Sequence, residues 1–183
     1  MQLSHLAGPI ASSGVRVSGA AALRAAVILL ALLPPASHAE TLAGRVVSIV
    51  DGDTLTLADT RNFSHTIRLL GIDAPELAQD YGQAARTTLS ALAANQDAAA
   101  DCRLIDQQLR TLCVVTIGGV DVGLEQIRRG SAWWYPPHNA PLSAKERADY
   151  EQAEFMAKIH RSGLWNSKNP TPPRDWRHGR PDE

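Results

Sequence analysis

The sequence lacks several features that define particular classes of protein. Its longest apolar run, residues 25–33, is too short to cross a bilayer comfortably. It has no internal repeat, and nothing in it indicates a second domain. Its 18 Lys and Arg residues do not outnumber its 19 Asp and Glu residues, which is unlike a tight nonspecific nucleic-acid binder. Only two cysteines occur, with no nearby His or Cys to complete a zinc site.

The first 39 residues have the composition of an export signal peptide. They contain Arg16 and Arg24 but no acidic residue, and Pro34-Pro35 follows the apolar run. Ser37 and Ala39 supply small residues at the −3 and −1 positions of a cut before Glu40. We expect a periplasmic or secreted protein that has no membrane attachment after cleavage; an uncleaved membrane anchor is the alternative.

The chain after residue 39 is slightly acidic. It keeps 16 of the 18 basic residues and all 19 acidic ones, so its formal charge is −3 with histidine neutral. A polyanionic substrate would therefore have to be held by a few local cations and a metal ion.

Cys102 and Cys113 bracket a segment with the pattern of a β-hairpin. An even number of cysteines in an exported protein favours pairing, so we expect a disulfide across the two strands. Two free buried thiols are the alternative.

The pattern of short strands and turns predicts an α+β fold, a small β-barrel of the OB type decorated by about three helices. Helices are expected over 79–94, 121–129 and 142–160, the last with Ser143 as its N-cap. Gly123 lacks a capping side chain, so the second helix is expected to begin loosely. Residues 40–166 would form this domain, and residues 167–183 an irregular tail in which Trp176 packs against the body.

Two probable strands carry more charge than the core of a barrel needs. Asp51 and Asp53 flank a glycine after the first strand, Asp73 and Glu76 flank Ala-Pro after a later one, and Arg68 interrupts an apolar run. If the strands pair, Asp53 and Asp73 would meet and offer hard oxygen ligands, which suit calcium, with magnesium or manganese as competitors. Solvated turn residues are the alternative.

A carboxylate beside such a metal could deprotonate water, and fixed guanidinium groups could stabilise a phosphoryl transition state. Glu76 is the candidate base. Arg68 is the first candidate guanidinium, and Arg110, in the hairpin between the cysteines, is the second.

The motifs VDGDT, IRLLGIDAPE and AWWY resemble those of the staphylococcal nuclease (thermonuclease) family, over about Leu42 to Asn166. The resemblance implies a five-stranded OB-type barrel with three helices. It also implies calcium-dependent hydrolysis of DNA and RNA that leaves 3′-phosphates.

By that resemblance, the carboxylates of Asp53 and Asp73 and the main-chain carbonyl of Ala74 would bind calcium. Asp51 would not bind the ion itself but would support the residues that do. Glu76 would be the general base. Arg68 would bind the scissile phosphate and Arg110 would assist the leaving oxygen.

The segment before Arg110 departs from the family, which typically has Asp-x-Tyr-Gly-Arg there. Gln108 replaces the Tyr that contacts a terminal phosphate, and Leu109 replaces the turn glycine. A displacement of Arg110 by about 1 Å could cost roughly 100-fold in rate.

The aromatic segment has two interpretations. Trp133 and Tyr135 would share one face of a strand, where the family has tyrosines, and could stack on a base. Core packing against the last helix is the alternative for both, and is the interpretation we favour for Trp134.

These observations predict an exported, metal-dependent endonuclease of low sequence specificity that acts on DNA and RNA; no stable protein partner is implied. The alternative is a noncatalytic OB-type module that binds nucleic acid or protein.

Overall fold

The computed structural model describes residues 40–106, 108–135 and 141–179. The predicted signal peptide lies outside the described residues. In the part of the chain that is described, no helix is both long enough and apolar enough to cross a bilayer.

Five strands close into a barrel. They are β1 (Glu40–Ile49), β2 (Thr54–Asp59), β3 (Ser64–Leu69), β5 (Asp97–Ile105) and β6 (Thr111–Ile117). Their order is β3-β2-β1-β5-β6, and a parallel pairing of β3 with β6 closes the ring. The other pairings in the ring are antiparallel. The predicted OB-type barrel is therefore confirmed.

Three further strands are only two residues long. β7 (Val120–Asp121) extends the edge of β6, while β4 (Ile72–Asp73) pairs with β8 (Trp133–Trp134) outside the barrel. In the pairing of β4 with β8, Asp73 lies directly opposite Trp133.

Alternating apolar residues fill the barrel. Leu55 and Leu57 of β2, and Ile67 and Leu69 of β3, point inward and are at most 1% exposed. Burial of side chains of this size stabilises the fold by about 1.5–3 kcal/mol each. The period of two in the sequence therefore sets which face of each strand is buried.

The expected disulfide is present. Cys102 of β5 and Cys113 of β6 are directly opposed in the antiparallel register and are bonded. The alternative of two free thiols is wrong.

Among the residues that the structure describes, four α-helices surround the barrel. They are α1 (Gly82–Ala93), α2 (Val122–Arg128), α3 (Ala144–Ile159) and a short α4 (Pro173–Arg177). The prediction for the first helix was too long at its start, because Tyr81 adopts a left-handed backbone (φ 69°) immediately before Gly82. Residues 76–81 instead form turns that carry a site residue, Glu76.

Side-chain caps define the starts of α2 and α3. The Asp121 side chain accepts the Leu124 N–H, so the expected loose start of α2 is wrong, because the cap lies one residue before the helix. Ser143 and Glu146 form the reciprocal pair of hydrogen bonds of a capping box at the start of α3. The predicted N-cap Ser143 is thus confirmed.

The C-terminal tail is more regular than expected. A 3₁₀ turn (Gly163–Asn166) precedes α4, and the Leu164 N–H bonds the Gly130 carbonyl. Pro173, at the first position of α4, has a fixed φ that suits a helix, while Pro172 at the N-cap is extended. The expected packing role of Trp176 is not supported, since its side chain is 46% exposed.

Candidate active site

Asp53 and Asp73 come together on one guanidinium group. Arg68 lies on β3 directly opposite Thr54, the residue after Asp53. Its Nη1 donates to Asp53 Oδ1 at 2.9 Å, and its Nη2 donates to Asp73 Oδ1 at 2.6 Å. Both carboxylates are almost fully buried, at 2% and 1% exposure. The structure therefore joins these three predicted site residues into one hydrogen-bonded cluster.

The loop that carries Asp53 is fixed from several sides. Asp51 Oδ1 accepts the Asp53 N–H at 2.9 Å, while the expected support of a metal site by Asp51 stays a prediction. Gln126, fully buried in α2, donates to the Gly52 carbonyl at 2.6 Å. A Cβ on Gly52 would lie 2.6 Å from the Ala74 Cβ, so only glycine allows the loop to approach residue 74 this closely.

Ala74 contacts Asp53 through its backbone. Its N–H donates to Asp53 Oδ2 at 2.8 Å, and the residue is 4% exposed at the wall of the site. The expected metal ligand is the carbonyl of the same residue. That role stays a prediction.

Burial dominates the electrostatics of Asp53. Removal of the carboxylate from water raises the pKa of Asp53 from 3.8 to about 7, although Arg68 opposes the rise. Burial makes ionisation of Asp53 costly. A cation close to this carboxylate, in addition to Arg68, would therefore stabilise its charged form.

Glu76 lies just beyond this cluster on a turn. Its carbonyl accepts the Gln79 N–H, and its own N–H donates to Gln79 Oε1 at 3.1 Å. A Cβ on Gly82 would fall 1.9 Å from the Glu76 carbonyl oxygen, so the turn can close only against a glycine. The Glu76 side chain is 38% exposed.

An unpredicted residue, Arg177, completes the charged cluster. It ends α4 and donates from Nη2 to Asp73 Oδ2 at 2.9 Å and from Nη1 to Glu76 Oε1 at 2.7 Å. The hydrogen bond with Asp73 raises the pKa of Arg177, so the guanidinium stays charged. No local motif connects Arg177 with Glu76, which lies 101 residues earlier.

Arg110 reaches the same cavity from the β5–β6 turn. Its Nε donates to Asp106 Oδ2 at 2.7 Å, and Asp106 also accepts the backbone N–H of Arg110. Leu109, where the family has glycine, adopts a left-handed backbone (φ 61°) and is 85% exposed. This left-handed conformation favours glycine and costs a residue with a Cβ about 1–2 kcal/mol.

The cavity has a volume of about 570 Å³. Acidic, basic and small residues line it: Asp51, Asp53, Arg68, Ala74, Pro75, Glu76, Asp106, Gln108, Arg110, Leu112 and Arg177. Asp73 is not a lining residue, because both its oxygens accept from guanidinium groups that do line the cavity.

The predicted base-stacking residues lie elsewhere. Trp133 contacts Trp165 edge to face, at 5.3 Å between ring centroids, and lines a separate cavity of about 260 Å³ beside the tail. Tyr135 is 40% exposed and borders neither cavity. Trp134 packs against Tyr150 of α3, as expected. A substrate-binding role for Trp133 and Tyr135 stays a prediction.

Oxygen donors and a surplus of acidic groups are the features of this site that favour a hard divalent cation. Asp51, Asp53, Asp73 and Glu76 contribute four formal negative charges and Arg68 and Arg177 two positive ones, while Asp106 and Arg110 pair with each other, which leaves two formal negative charges. Within the described ranges, no group of three Asp, Glu, His or Cys side chains has the spacing of a metal site. An ion there would need ligands beyond carboxylates, such as main-chain carbonyls and water, which calcium commonly uses.

The fold and the cavity define a class of protein: an OB-type barrel with a carboxylate–arginine site at the ends of its strands. Residues 66–167 match the family described as staphylococcal nuclease homologue. The chain belongs to the staphylococcal nuclease family.

Bacterial relatives cover most of the chain. An uncharacterized endonuclease of Haemophilus influenzae is 35% identical over 156 residues, which is 85% of this chain and 84% of the relative. A micrococcal nuclease of Shigella flexneri is 32% identical over 169 residues, which is 87% of this chain and 94% of the relative. Similarity to proteins with these names supports a nuclease activity.

Proposed function

We propose that this protein is a calcium-dependent endonuclease that hydrolyses phosphodiester bonds of DNA and RNA with low sequence specificity and leaves 3′-phosphates. The observation that carries the proposal is the convergence of Asp53 and Asp73 on Arg68, at the wall of a cavity that Glu76 and Arg110 also line. A noncatalytic barrel would have no need of two carboxylates that are almost fully buried beside one guanidinium group.

Asp53, Asp73 and the carbonyl of Ala74 would hold the cation, and Asp51 would support them through the Asp53 backbone. Magnesium or manganese could compete for the same oxygen ligands. When bound, the ion would supply Lewis-acid stabilisation of charge on a phosphate oxygen.

Glu76, Arg68 and Arg110 would carry out the remaining steps of hydrolysis. Glu76, partly exposed at the cavity, would accept a proton from the attacking water. Arg68 would donate to the phosphate oxygens as negative charge accumulates on them. Asp106 engages the Nε–H of Arg110, and the other N–H donors of that guanidinium could stabilise the leaving oxygen.

The volume of the cavity and the slightly acidic charge of the chain both affect which nucleic acids the protein should cleave fastest. A cavity of about 570 Å³ would hold a phosphate together with parts of the nucleosides on either side of it. We therefore expect flexible, unstacked strands to be cleaved fastest, since they can bend into the site. The nucleic acid is the only partner that the proposal requires, and the site would act after export to the periplasm or medium.

The first experiment measures nicking of a supercoiled plasmid and cleavage of single-stranded DNA and RNA, in calcium and in excess EGTA. The wild-type protein should cleave only with calcium, and Glu76→Gln should fold normally but lose about 100-fold or more of the rate. Glu151→Gln, on the exposed side of α3, is the matched control and should keep wild-type activity. Full turnover in EGTA would contradict the proposed calcium dependence. Wild-type activity of Glu76→Gln would show that Glu76 is not the general base.

The turn at Asp106–Arg110 favours a second candidate, a noncatalytic module that binds nucleic acid or protein. Gln108 stands where the family has Tyr, and Arg110 is already paired with Asp106. That candidate predicts binding of single-stranded DNA with no cleavage, with or without calcium.

A further inference from the structure

Arg177 forms a bridge between two acidic residues of the site. Its guanidinium holds both oxygens of Asp73, at 3.2 Å and 2.9 Å, and Oε1 of Glu76, at 2.7 Å. Arginine suits this geometry because its planar group presents N–H donors in a fixed arrangement, which a lysine ammonium cannot reproduce. The position of the Glu76 carboxylate is thereby tied to that of the buried Asp73.

The tail is also attached to the Glu76 turn by a second contact. The Gln79 side chain donates to the Thr171 carbonyl through Nε2, while its Oε1 accepts the Glu76 N–H. Gln79 is 7% exposed, so this link is shielded from water. The turn that carries Glu76 and the segment that leads into α4 are thus joined at two points, one through Gln79 and one through Arg177.

Without these links, Glu76 would be a poorly constrained base. Its side chain is 38% exposed and extends from a turn outside the regular elements. An exposed carboxylate of this kind samples several rotamers, and only some of them would place an oxygen beside the attacked phosphate. The contact with Arg177 uses Oε1, which leaves Oε2 to accept a proton from water.

We infer that Arg177 is a positioning residue of the active site, which acts on hydrolysis by holding the carboxylate of Glu76 in place. This inference rests on the proposed function. It makes Arg177, in the segment 167–183 that was expected to be only an irregular tail, a part of the active site.

The test is a double-mutant cycle on calcium-dependent cleavage of a single-stranded DNA oligonucleotide, with kcat and KM measured separately. Arg177→Gln should lower kcat by about 10- to 100-fold, with a smaller change in KM and no change in secondary structure by circular dichroism. Arg177→Lys should recover only part of the loss, because an ammonium cannot bridge both carboxylates. Arg174→Gln, an exposed residue of the same helix, is the matched control and should behave as wild type.

The cycle is completed in a Glu76→Gln background. If Arg177 acts through Glu76, adding Arg177→Gln there should change the residual rate by less than about threefold. An undiminished effect in that background would overturn the inference in favour of direct contact with the substrate.

Calcium affinity, measured by isothermal titration, gives a readout independent of turnover. We expect Arg177→Gln to change it far less than it changes kcat. Tighter calcium binding with an unreduced kcat would overturn the inference and make Arg177 a competitor of the cation. Wild-type kcat for Arg177→Gln would also overturn it while leaving the nuclease intact. No turnover by the wild-type protein would remove both the inference and the proposed function.

Discussion

The carboxyl group of Asp53 should make the stability of the metal-free protein fall as the pH rises. Burial raises the pKa of this group from 3.8 to about 7 in the folded state. A folded-state pKa above the unfolded value means that the folded protein binds the proton more tightly. The stabilisation is therefore complete below about pH 4 and is lost as the pH rises through 7.

The size of the effect follows from these two values. Moving a carboxyl pKa from 3.8 to about 7 corresponds to about 4 kcal/mol of lost stability once the group is ionised. Of this, roughly 2–3 kcal/mol should appear between pH 5 and pH 8. This window avoids the acidic range, where Glu146, whose pKa the hydrogen bond from Arg103 lowers to about 2, would begin to lose its own contribution.

The assay is urea-induced unfolding in EDTA, followed by tryptophan fluorescence, for the wild-type protein and Asp53→Asn at several pH values. The other ionisable groups are the same in both proteins, so the difference between the two profiles reports on Asp53 and its electrostatic link to its neighbours. The free energy of unfolding of wild type should fall relative to that of Asp53→Asn by roughly 2–3 kcal/mol from pH 5 to pH 8. Excess calcium should cancel or reverse this trend in the wild type only, because calcium and the proton would compete for one carboxylate.

Parallel pH profiles for the two proteins would refute this reasoning. They would show that Arg68 fully compensates the burial of Asp53. They would also remove the argument that the site has uncompensated negative charge for a cation to neutralise.

Three further predictions concern stability at pH 8. Arg68→Met leaves Asp53 and Asp73 without their shared guanidinium and should cost roughly 3–5 kcal/mol by urea unfolding. Arg45→Met, which breaks only an exposed pair with Asp97, should cost about 1 kcal/mol or less; equal losses would contradict the role assigned to burial. Leu109→Gly should raise the free energy of unfolding by up to about 1 kcal/mol, because relief of left-handed strain exceeds the entropy cost of glycine. Leu109→Ala, which keeps the Cβ, should show no such gain, and a gain as large as that of glycine would argue against strain. Replacing both Cys102 and Cys113 by alanine should cost about 3 kcal/mol, since the bond closes a short loop of the unfolded chain; unchanged stability would show that the hairpin is held without it.

Much of the site could be predicted because its residues lie close to recognisable strand ends. Asp53 directly precedes β2 and Arg68 interrupts the apolar run of β3, so the pairing of β2 with β3 brings these two together. Asp73 lies on β4, four residues beyond the end of β3, and joins them through its hydrogen bond with Arg68. The disulfide followed in the same way from a hairpin with a cysteine on each strand.

Where the prediction failed, the deciding contact lay outside the local pattern. The start of α1 depends on the left-handed conformation of Tyr81, and Gly82 is required there because the Glu76 carbonyl lies against it. Trp133 contacts Trp165 of the 3₁₀ turn and does not line the acidic cavity, and its expected role in substrate binding stays a prediction. No periodicity or motif encodes either contact.

The sequence by itself determined the barrel, its covalent link and the chemistry of the strand ends, because apolar alternation, turn residues and caps act over a few neighbouring positions. Only the tertiary structure decided what surrounds the carboxylates. Folding brings Arg177 from the end of the chain onto Asp73 and Glu76, and it buries Asp53 deeply enough to shift its pKa. Both effects depend on distance in space and on exclusion of water, which separation along the chain does not reveal.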